Sequence, residues 1–311
     1  MCAPLTNLKY MSRLTFAALA SVILSAPAAA QGVPARDLLE FPLGLLADAP
    51  ALSTRMPASL WNPASRSADS SARVEIGLAG LTTPQNQGAQ LGMLGGEYRI
   101  RPGLSAALSF AQASVSDIIH TETDPQSIGG EIPYGTSLLS AGVAMTRQHS
   151  SFGIWSAGLA ARYRWATVDQ DHGGAFSLDG GVIVDKILGT PVRGAVSTFL
   201  FSPVRSDEAA TYMAAIDAPV LRRDSTIVRA GYSASVTQSR GRDDYVFTSV
   251  DYRWFNATGG FDWSTAFGDQ DRRLRLGIGL RYAAYVVAVA REEGSAGLGA
   301  NYQFLVTRTI R

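Results

Sequence analysis

From Val74 onward, apolar residues recur at every second position in stretches of about ten, and this repeat restricts what the chain can fold into more than any other feature. Leu274, Leu276, Ile278 and Leu280 interleave with Arg273, Arg275, Gly277, Gly279 and Arg281. Successive side chains of a strand point to opposite faces, so one face collects the leucines and the other the arginines and glycines. In the same way Phe261, Trp263, Thr265 and Phe267 oppose Gly260, Asp262, Ser264 and Gly268, and Trp155, Leu159, Tyr163 and Trp165 oppose Ser156, Gly158, Arg162 and Arg164. Phe176, Leu178, Val182 and Val184 oppose Ser177, Asp179, Gly181 and Asp185, while Val74, Ile76 and Leu78 oppose Arg73 and Glu75. Beyond the first thirty residues no apolar run reaches the roughly 18 residues of a spanning helix, but each stretch approaches the about 9–11 residues that cross a bilayer as a tilted strand.

Gly, Pro, Asn and Asp mark the reversals: Thr83-Pro84-Gln85-Asn86, Arg101-Pro102-Gly103, Asp171-His172-Gly173-Gly174, Gly189-Thr190-Pro191, Arg240-Gly241-Arg242-Asp243 and Asp269-Gln270-Asp271. The segmentation predicts strands over 72–82, 88–100, 103–113, 137–147, 152–167, 174–187, 192–202, 209–217, 225–238, 243–255, 257–268, 272–282, 284–291 and 296–309. That is about fourteen strands, or twelve if neighbours merge. A soluble sandwich also alternates, but its polar face meets bulk water and is rich in Lys, Glu and Thr. Here the second face is Gly, Ser and Ala with scattered Arg and Asp, which suits a crowded polar lumen. Tyr163, Trp165, Tyr252, Trp254 and Tyr282 lie near segment ends, as interfacial girdles require. Closure removes the edges so many strands would expose. The expected fold is all-β, an antiparallel transmembrane β-barrel.

The first thirty residues read as a signal peptide: Lys9 and Arg13, an apolar stretch from Leu14 to Leu24, and Ala28-Ala29-Ala30 before Gln31. Translation from Met1 or Met11 gives the same signal. The one cysteine, Cys2, falls inside it, which excludes a disulfide framework or a cysteine-based metal site in the mature chain. A formal net charge of +1 gives no electrostatic reason to expect nucleic acid. The division that follows is 1–30 signal peptide, 31–70 an N-terminal plug or hatch-like segment, and 71–311 barrel.

Two stretches break the alternation. Residues 31–70 hold Leu38, Leu39 and Phe41, and then Trp61-Asn62-Pro63-Ala64. Pro63 fixes its own backbone angle and restricts Asn62, whose side chain bonds nearby backbone, giving a rigid reversal suited to a plug. Residues 114–136 form an insertion long enough to be a functional loop. An Asn-Pro-Ala segment soon after a signal peptide and ahead of a run of barrel strands resembles the long-chain fatty acid transporter superfamily of the outer membrane. The aromatic before Asn62, the modest length and the ending from Leu274 to Arg311 resemble its branch containing the PorV and PorQ proteins of the type IX secretion system. Ser65 stands where the family usually has Gly, and the chain ends Thr309-Ile310-Arg311 rather than on an aromatic. The resemblance implies passage of small hydrophobic molecules across the outer membrane, with docking or assembly of secreted proteins as the alternative.

The plug motif Trp61, Asn62, Pro63 and Ala64 and the candidate ligand contacts Leu38, Leu39, Phe41 and Trp61 follow from this reading. The candidate lumen charges are Arg99, Arg162, Arg164, Asp179, Asp185, Arg229, Asp251, Arg253, Asp262, Arg275 and Arg281; they either shape a pathway or form a network that stiffens the wall. An enzyme is not expected. His120, His149 and His172 fall in loops or strand ends, and in His149-Ser150-Ser151 adjacent residues would point to opposite faces. His120, Glu122 and Asp124 alternate in a loop and offer a divalent cation one nitrogen and two carboxylates, but a solvated polar loop is the simpler account. Gly277-Ile278-Gly279 and Gly297-Leu298-Gly299 lack the full glycine fingerprint and its helix. No cofactor is expected. The partners expected are the outer-membrane bilayer, an apolar small molecule and, on the alternative reading, secreted proteins.

Overall fold

The computed structural model describes residues 33–41, 43–55, 58–65, 74–83, 88–116, 118–121, 128–149, 153–202, 208–238, 240–265, 271–293 and 300–310. Its strands are β1 (Val74–Thr82), β2 (Ala89–Arg101), β3 (Leu104–Val115), β4 (Ile119–Thr121), β5 (Ile128–Glu131), β6 (Tyr134–His149), β7 (Gly153–Val168), β8 (Asp171–Asp185), β9 (Arg193–Phe199), β10 (Thr211–Arg223), β11 (Thr226–Thr237), β12 (Gly241–Tyr252), β13 (Phe255–Ser264), β14 (Asp271–Tyr282), β15 (Tyr285–Glu292) and β16 (Asn301–Ile310). Fourteen of them form a closed antiparallel barrel, sealed where β1 meets β16 from Val74↔Ile310 to Thr82↔Tyr302. The other two, β4 and β5, pair as a separate hairpin inside the long insertion.

The strand count matches the alternation, and the departures have local causes. The Asp171-His172-Gly173-Gly174 stretch expected to turn lies within β8; the chain reverses at 169–170, with Asp169 in the left-handed region at φ 53°. Arg242 and Asp243 likewise belong to β12. β10 passes the expected end at 217 and continues to Arg223 through a register shift between Pro219 and Leu221, a bulge that accommodates a residue without an N–H. β9 stops at Phe199 instead of 202 because Leu200 turns into the left-handed region, φ 59°, and donates its N–H to the Asp179 carboxylate.

Two rims follow from this topology. Val74 and Ile310 lie together at one rim, where tight reversals fall at 102–103, 224–225, 253–254 and 283–284; this is the turn rim. At the opposite rim β1, β9, β13 and β15 end and β2, β10, β14 and β16 begin, and β3 leads into the insertion before β6; this is the loop rim. On the outer wall Leu276, Ile278, Leu280, Val287, Val289, Phe304 and Val306 are exposed between two aromatic belts. Tyr98, Tyr252, Trp254, Tyr282 and Tyr285 stand near the turn rim, and Tyr163, Trp165, Trp263 and Tyr302 nearer the loop rim. Trp263 pairs with Arg272, and Tyr282 lies further along the same strand. Those ten or so residues span about 33 Å of strand, which at a tilt of about 40° is about 25 Å of height, the apolar band of a transmembrane barrel. Among the described residues no helix is long and apolar enough to cross a membrane.

Candidate functional site: the occupied lumen

The lumen is filled by the segment from 33 to 65, and the wall is built to receive it. On β1–β3, β6, β9 and β10 apolar residues face inward in the loop half: Ala79, Leu81, Leu91, Met93, Ala111, Ala113, Leu138, Phe199 and Met213 pack with Leu38, Leu39, Leu43, Leu45, Leu60 and Trp61 in one core. A water-filled barrel has a polar interior; here one side of the loop half is apolar and closed by an apolar insert, while β7 and β13–β15 carry the buried ion-pairing groups Arg164, Asp262, Arg275 and Glu292. Short 3-10 turns at Asp37–Leu39 and Ala58–Leu60 let the insert fold back within the barrel.

Trp61-Asn62-Pro63-Ala64 sits at the centre of the insert. Trp61 donates from Nε1 to the Leu43 carbonyl at 2.9 Å, and Asn62 donates from Nδ2 to the Ala51 carbonyl at 2.6 Å. The Asn62 Oδ1 accepts from the Ala64 N–H at 2.9 Å, so one side chain ties its own turn to the stretch at Ala51. Asn62 and Ala64 are wholly buried. Two glycines of the wall make room for this motif. A Cβ on Gly158 of β7 would collide with the Pro63 carbonyl, and one on Gly181 of β8 with the Asn62 amide oxygen.

Above the motif, Phe199 from the end of β9 is held on several sides. Trp61 stacks on it with centroids 4.8 Å apart, and the Arg162 and Arg36 guanidinium groups lie over its ring at 4.9 and 5.4 Å. Arg162 pairs with Asp179 at 2.6 Å, and Asp179 also accepts the Leu200 and Phe201 N–H groups, which turns the chain inward after β9. Arg164 holds the start of the insert: it donates to the Val33 and Pro34 carbonyls at 2.6 and 2.7 Å and pairs with Glu208 at 2.6 Å. Burial lowers Arg36 to about 10, against the pull of Glu40 and Glu208, and it remains charged at neutral pH. Burial pushes the Glu208 carboxyl up, opposed by Arg164 and Arg36. Tyr134 donates to Asp37 at 2.6 Å, and Arg240 pairs with Glu40 at 2.9 Å.

Toward the turn rim the insert is fastened to the opposite wall. Tyr245 donates to the Ala47 carbonyl at 2.6 Å, and Thr258 to Asp48 at 3.2 Å. Arg55 pairs with Asp48 at 3.2 Å and bonds the Asn256 side chain. Beyond it opens a vestibule of about 1210 Å³ lined by Arg55, Arg229, Asp251, Asn256 and Arg281 among others. At the loop end a cavity of about 60 Å³ lies between Arg36, Leu39, Trp61, Met213 and Tyr245. That is room for about two waters, at about 30 Å³ each.

The expected ligand contacts Leu38, Leu39 and Trp61 are therefore buried against the wall, with Phe41 partly buried beside them. Among the expected lumen charges, Arg162 with Asp179 and Arg275 with Asp262 form buried pairs, and Arg164 is paired to Glu208. Arg229 shares Asp217 with Arg193, and Asp185 faces Arg193 in register. Arg99, Asp251 and Arg281 keep the inward register but lie near the turn rim, where Asp251 accepts from Asn256 at 2.7 Å. Arg253 is a correction. It occupies the β12–β13 turn at φ 39°, bonds Ser225 of the neighbouring turn and stacks on Tyr252, because the two-residue reversal takes it out of the strand alternation.

Phe199 and Asp217 were within reach of sequence reasoning, since each holds the inward parity of an expected strand. Arg36, Asp48 and Glu208 were not, because they lie outside strands and carry no periodic signal. His172 is exposed on β8 near Thr167. The side chains of His120 and His149, and all of Glu122, Asp124 and Gly297-Leu298-Gly299, lie outside the described residues, as does the signal segment.

No protein-family model matches the chain, and no curated protein matches it. Among solved structures, the toluene transporter TodX of Pseudomonas putida aligns over 92% of this chain and 99% of its own, with a TM-score of 0.55 at 10% identity. A FadL homologue of Pseudomonas aeruginosa aligns over 83% of this chain and 95% of its own, with a TM-score of 0.50 at 10% identity. At such identity the likeness is one of fold, that of an outer-membrane β-barrel.

Proposed function

We propose that the chain is an outer-membrane transporter for small apolar molecules and that the segment 31–70 is its gate. The observation that carries this reading is the apolar patch on the β1–β3, β6, β9 and β10 side of the loop half, which the insert covers with Leu38, Leu39, Leu45 and Trp61. Displacing the insert would uncover that patch toward the loop rim, a surface suited to hydrocarbon beside the ion-paired side of the wall. The fold shared with a toluene transporter supports the same substrate class. Short turns face the periplasm and long loops the exterior in barrels of this kind, so ligand enters past 114–136 and leaves toward the vestibule.

The test is uptake of radiolabelled toluene by cells carrying the protein or its Trp61→Ala variant. Loss of the Phe199 stack and the Leu43 bond should change uptake several-fold; unchanged uptake by a correctly inserted variant would overturn the reading. The alternative, docking of secreted proteins, draws on the β4–β5 hairpin at the loop rim. Deleting 118–130 would abolish recovery of secreted partners on that reading and leave toluene uptake as the discriminating measurement.

A further inference from the structure

The outer wall carries few charges near the loop-side aromatic belt, and its cations are gathered on one side. Arg242 of β12, Arg272 of β14 and Arg291 of β15 are all exposed and all on the outward register. Trp263 stands across from Arg272, and Tyr302 across from Arg291. Arg242 lies opposite Thr265, two strands and two residues from Arg272, about 12 Å away at about 4.8 Å per strand and 3.3 Å per residue. Arg291 pairs with Leu276, which places it one strand and four residues from Arg272, about 14 Å. On the wall from β1 to β3 the exposed outward residues at the same rim are Thr82, Gln90, Gln112 and Ser114, all uncharged.

Arg242 is steadied by Asp244 at 2.7 Å and by the Tyr232 hydroxyl at 2.8 Å. Among the described residues no ion pair is made by Arg272 or Arg291; exposed Glu293, whose N–H bonds the Leu274 carbonyl, lies between them on the same outward register. A guanidinium on the outer face of a barrel is tolerated only near an interface, where it reaches headgroups. Its planar fork binds phosphate through two parallel hydrogen bonds. Below the three arginines, Leu276, Val289 and Phe304 are exposed and offer an apolar bed for acyl chains.

We propose that Arg242, Arg272 and Arg291, with Trp263 and Tyr302, form a binding face for the phosphate groups of a phosphorylated glycolipid of the outer leaflet. Two cations about 14 Å apart suit a headgroup carrying two phosphates on one sugar backbone. The lipid would fix the barrel's depth and rotation on the β12–β15 side while the uncharged β1–β3 side stays free. The inference needs the loop rim to face outward; it does not depend on what the barrel transports.

The experiment uses the full-length protein in mild detergent, titrated with purified bisphosphorylated lipid A or with its dephosphorylated form, adducts being counted by native mass spectrometry. Folding of each variant is checked by heat-modifiable gel mobility. The phosphorylated lipid should bind at least tenfold more tightly than the dephosphorylated one. Arg272→Gln with Arg291→Gln should remove that preference, whereas Arg147→Gln at the turn rim should change it less than twofold. Equal binding of the two lipids by the parent protein would overturn the proposal, as would undiminished preference in a folded double variant. Equally tight binding of phosphatidylglycerol would also overturn it, since the face would then read any phosphate.

Discussion

Replacing Gly158 by Ala should unseat the insert while leaving the barrel wall intact. The added methyl points into the lumen and meets the backbone carbonyl of Pro63, which has no rotamer through which to yield. Overpacking of one methyl costs about 1–3 kcal/mol. With backbone on both sides the upper half applies, so docking weakens by about 2–3 kcal/mol, a roughly 30- to 150-fold rise in the undocked fraction. The wall loses nothing, because Ala is a better strand residue than Gly. The assay is maleimide labelling of Ser65→Cys, a buried and nearly isosteric reporter, in a chain with Cys2→Ser. When closing is faster than labelling, the rate tracks the undocked population. Gly92→Ala is the control, because its Cβ meets open space. Labelling within twofold of the parent, in a barrel that still migrates as folded, would refute the claim that Pro63 is seated against β7.

Three further substitutions separate insert from wall. Phe199→Ala removes the stack on Trp61 and both cation contacts and should cost about 3–5 kcal/mol, seen as faster Ser65→Cys labelling together with a lower unfolding midpoint. Arg164→Met leaves Glu208 with only the 3.9 Å approach of Arg36 and releases the Val33 and Pro34 carbonyls; a loss of about 3 kcal/mol is expected, read as new proteolysis within residues 33–40. Asp217→Ala takes from Arg193 and Arg229 the carboxylate they share and leaves Asp185 as the acid facing them, so the wall should lose about 3 kcal/mol in urea titration while the labelling rate under native conditions stays near that of the parent.

The barrel was legible because its repeat is strict and its second face is small and mixed in charge: Leu274, Leu276, Ile278 and Leu280 alternate with Arg and Gly, which suits a lumen better than a surface in bulk water. The positions that failed are those where the backbone leaves the repeat. Arg253 held the correct parity for a lumen residue but sits in a reversal, and β9 ends early because the Asp179 carboxylate captures the N–H groups of Leu200 and Phe201. Neither event leaves a mark in the order of polar and apolar residues. The insert was visible only as a break in alternation with one rigid motif, and its depth in the lumen depends on Gly158 and Gly181, which from sequence are two small residues among many. The long-range pairs, such as Arg164 with Glu208 and Tyr245 with Ala47, join parts of the chain that no local pattern connects.

The contacts that hold the insert divide by chemistry, and the division bears on how it would move. Its apolar face supplies the bulk of the docking energy but is tolerant of position, since hydrocarbon contacts have no direction. Its polar contacts fix the position: Arg164 on Val33 and Pro34, Tyr245 on Ala47, Thr258 on Asp48, Arg55 on Asp48 and Asn256. Buried ion pairs contribute little net stability against desolvation, yet breaking one leaves a costly unpaired charge. The wall avoids that cost at four of its lumen arginines, which are paired with wall carboxylates: Arg162 with Asp179, Arg193 and Arg229 with Asp217, Arg275 with Asp262 and Glu292. An insert that withdrew from the turn side would strand no wall charge, since Asp48 and Arg55 travel together as a pair. Withdrawal from the loop side would carry Arg36 out to solvent while Glu208 kept Arg164. If the insert is the gate proposed above, it can open while the wall keeps its own buried ion pairs, and an apolar ligand would replace in kind the apolar contacts that the insert gives up.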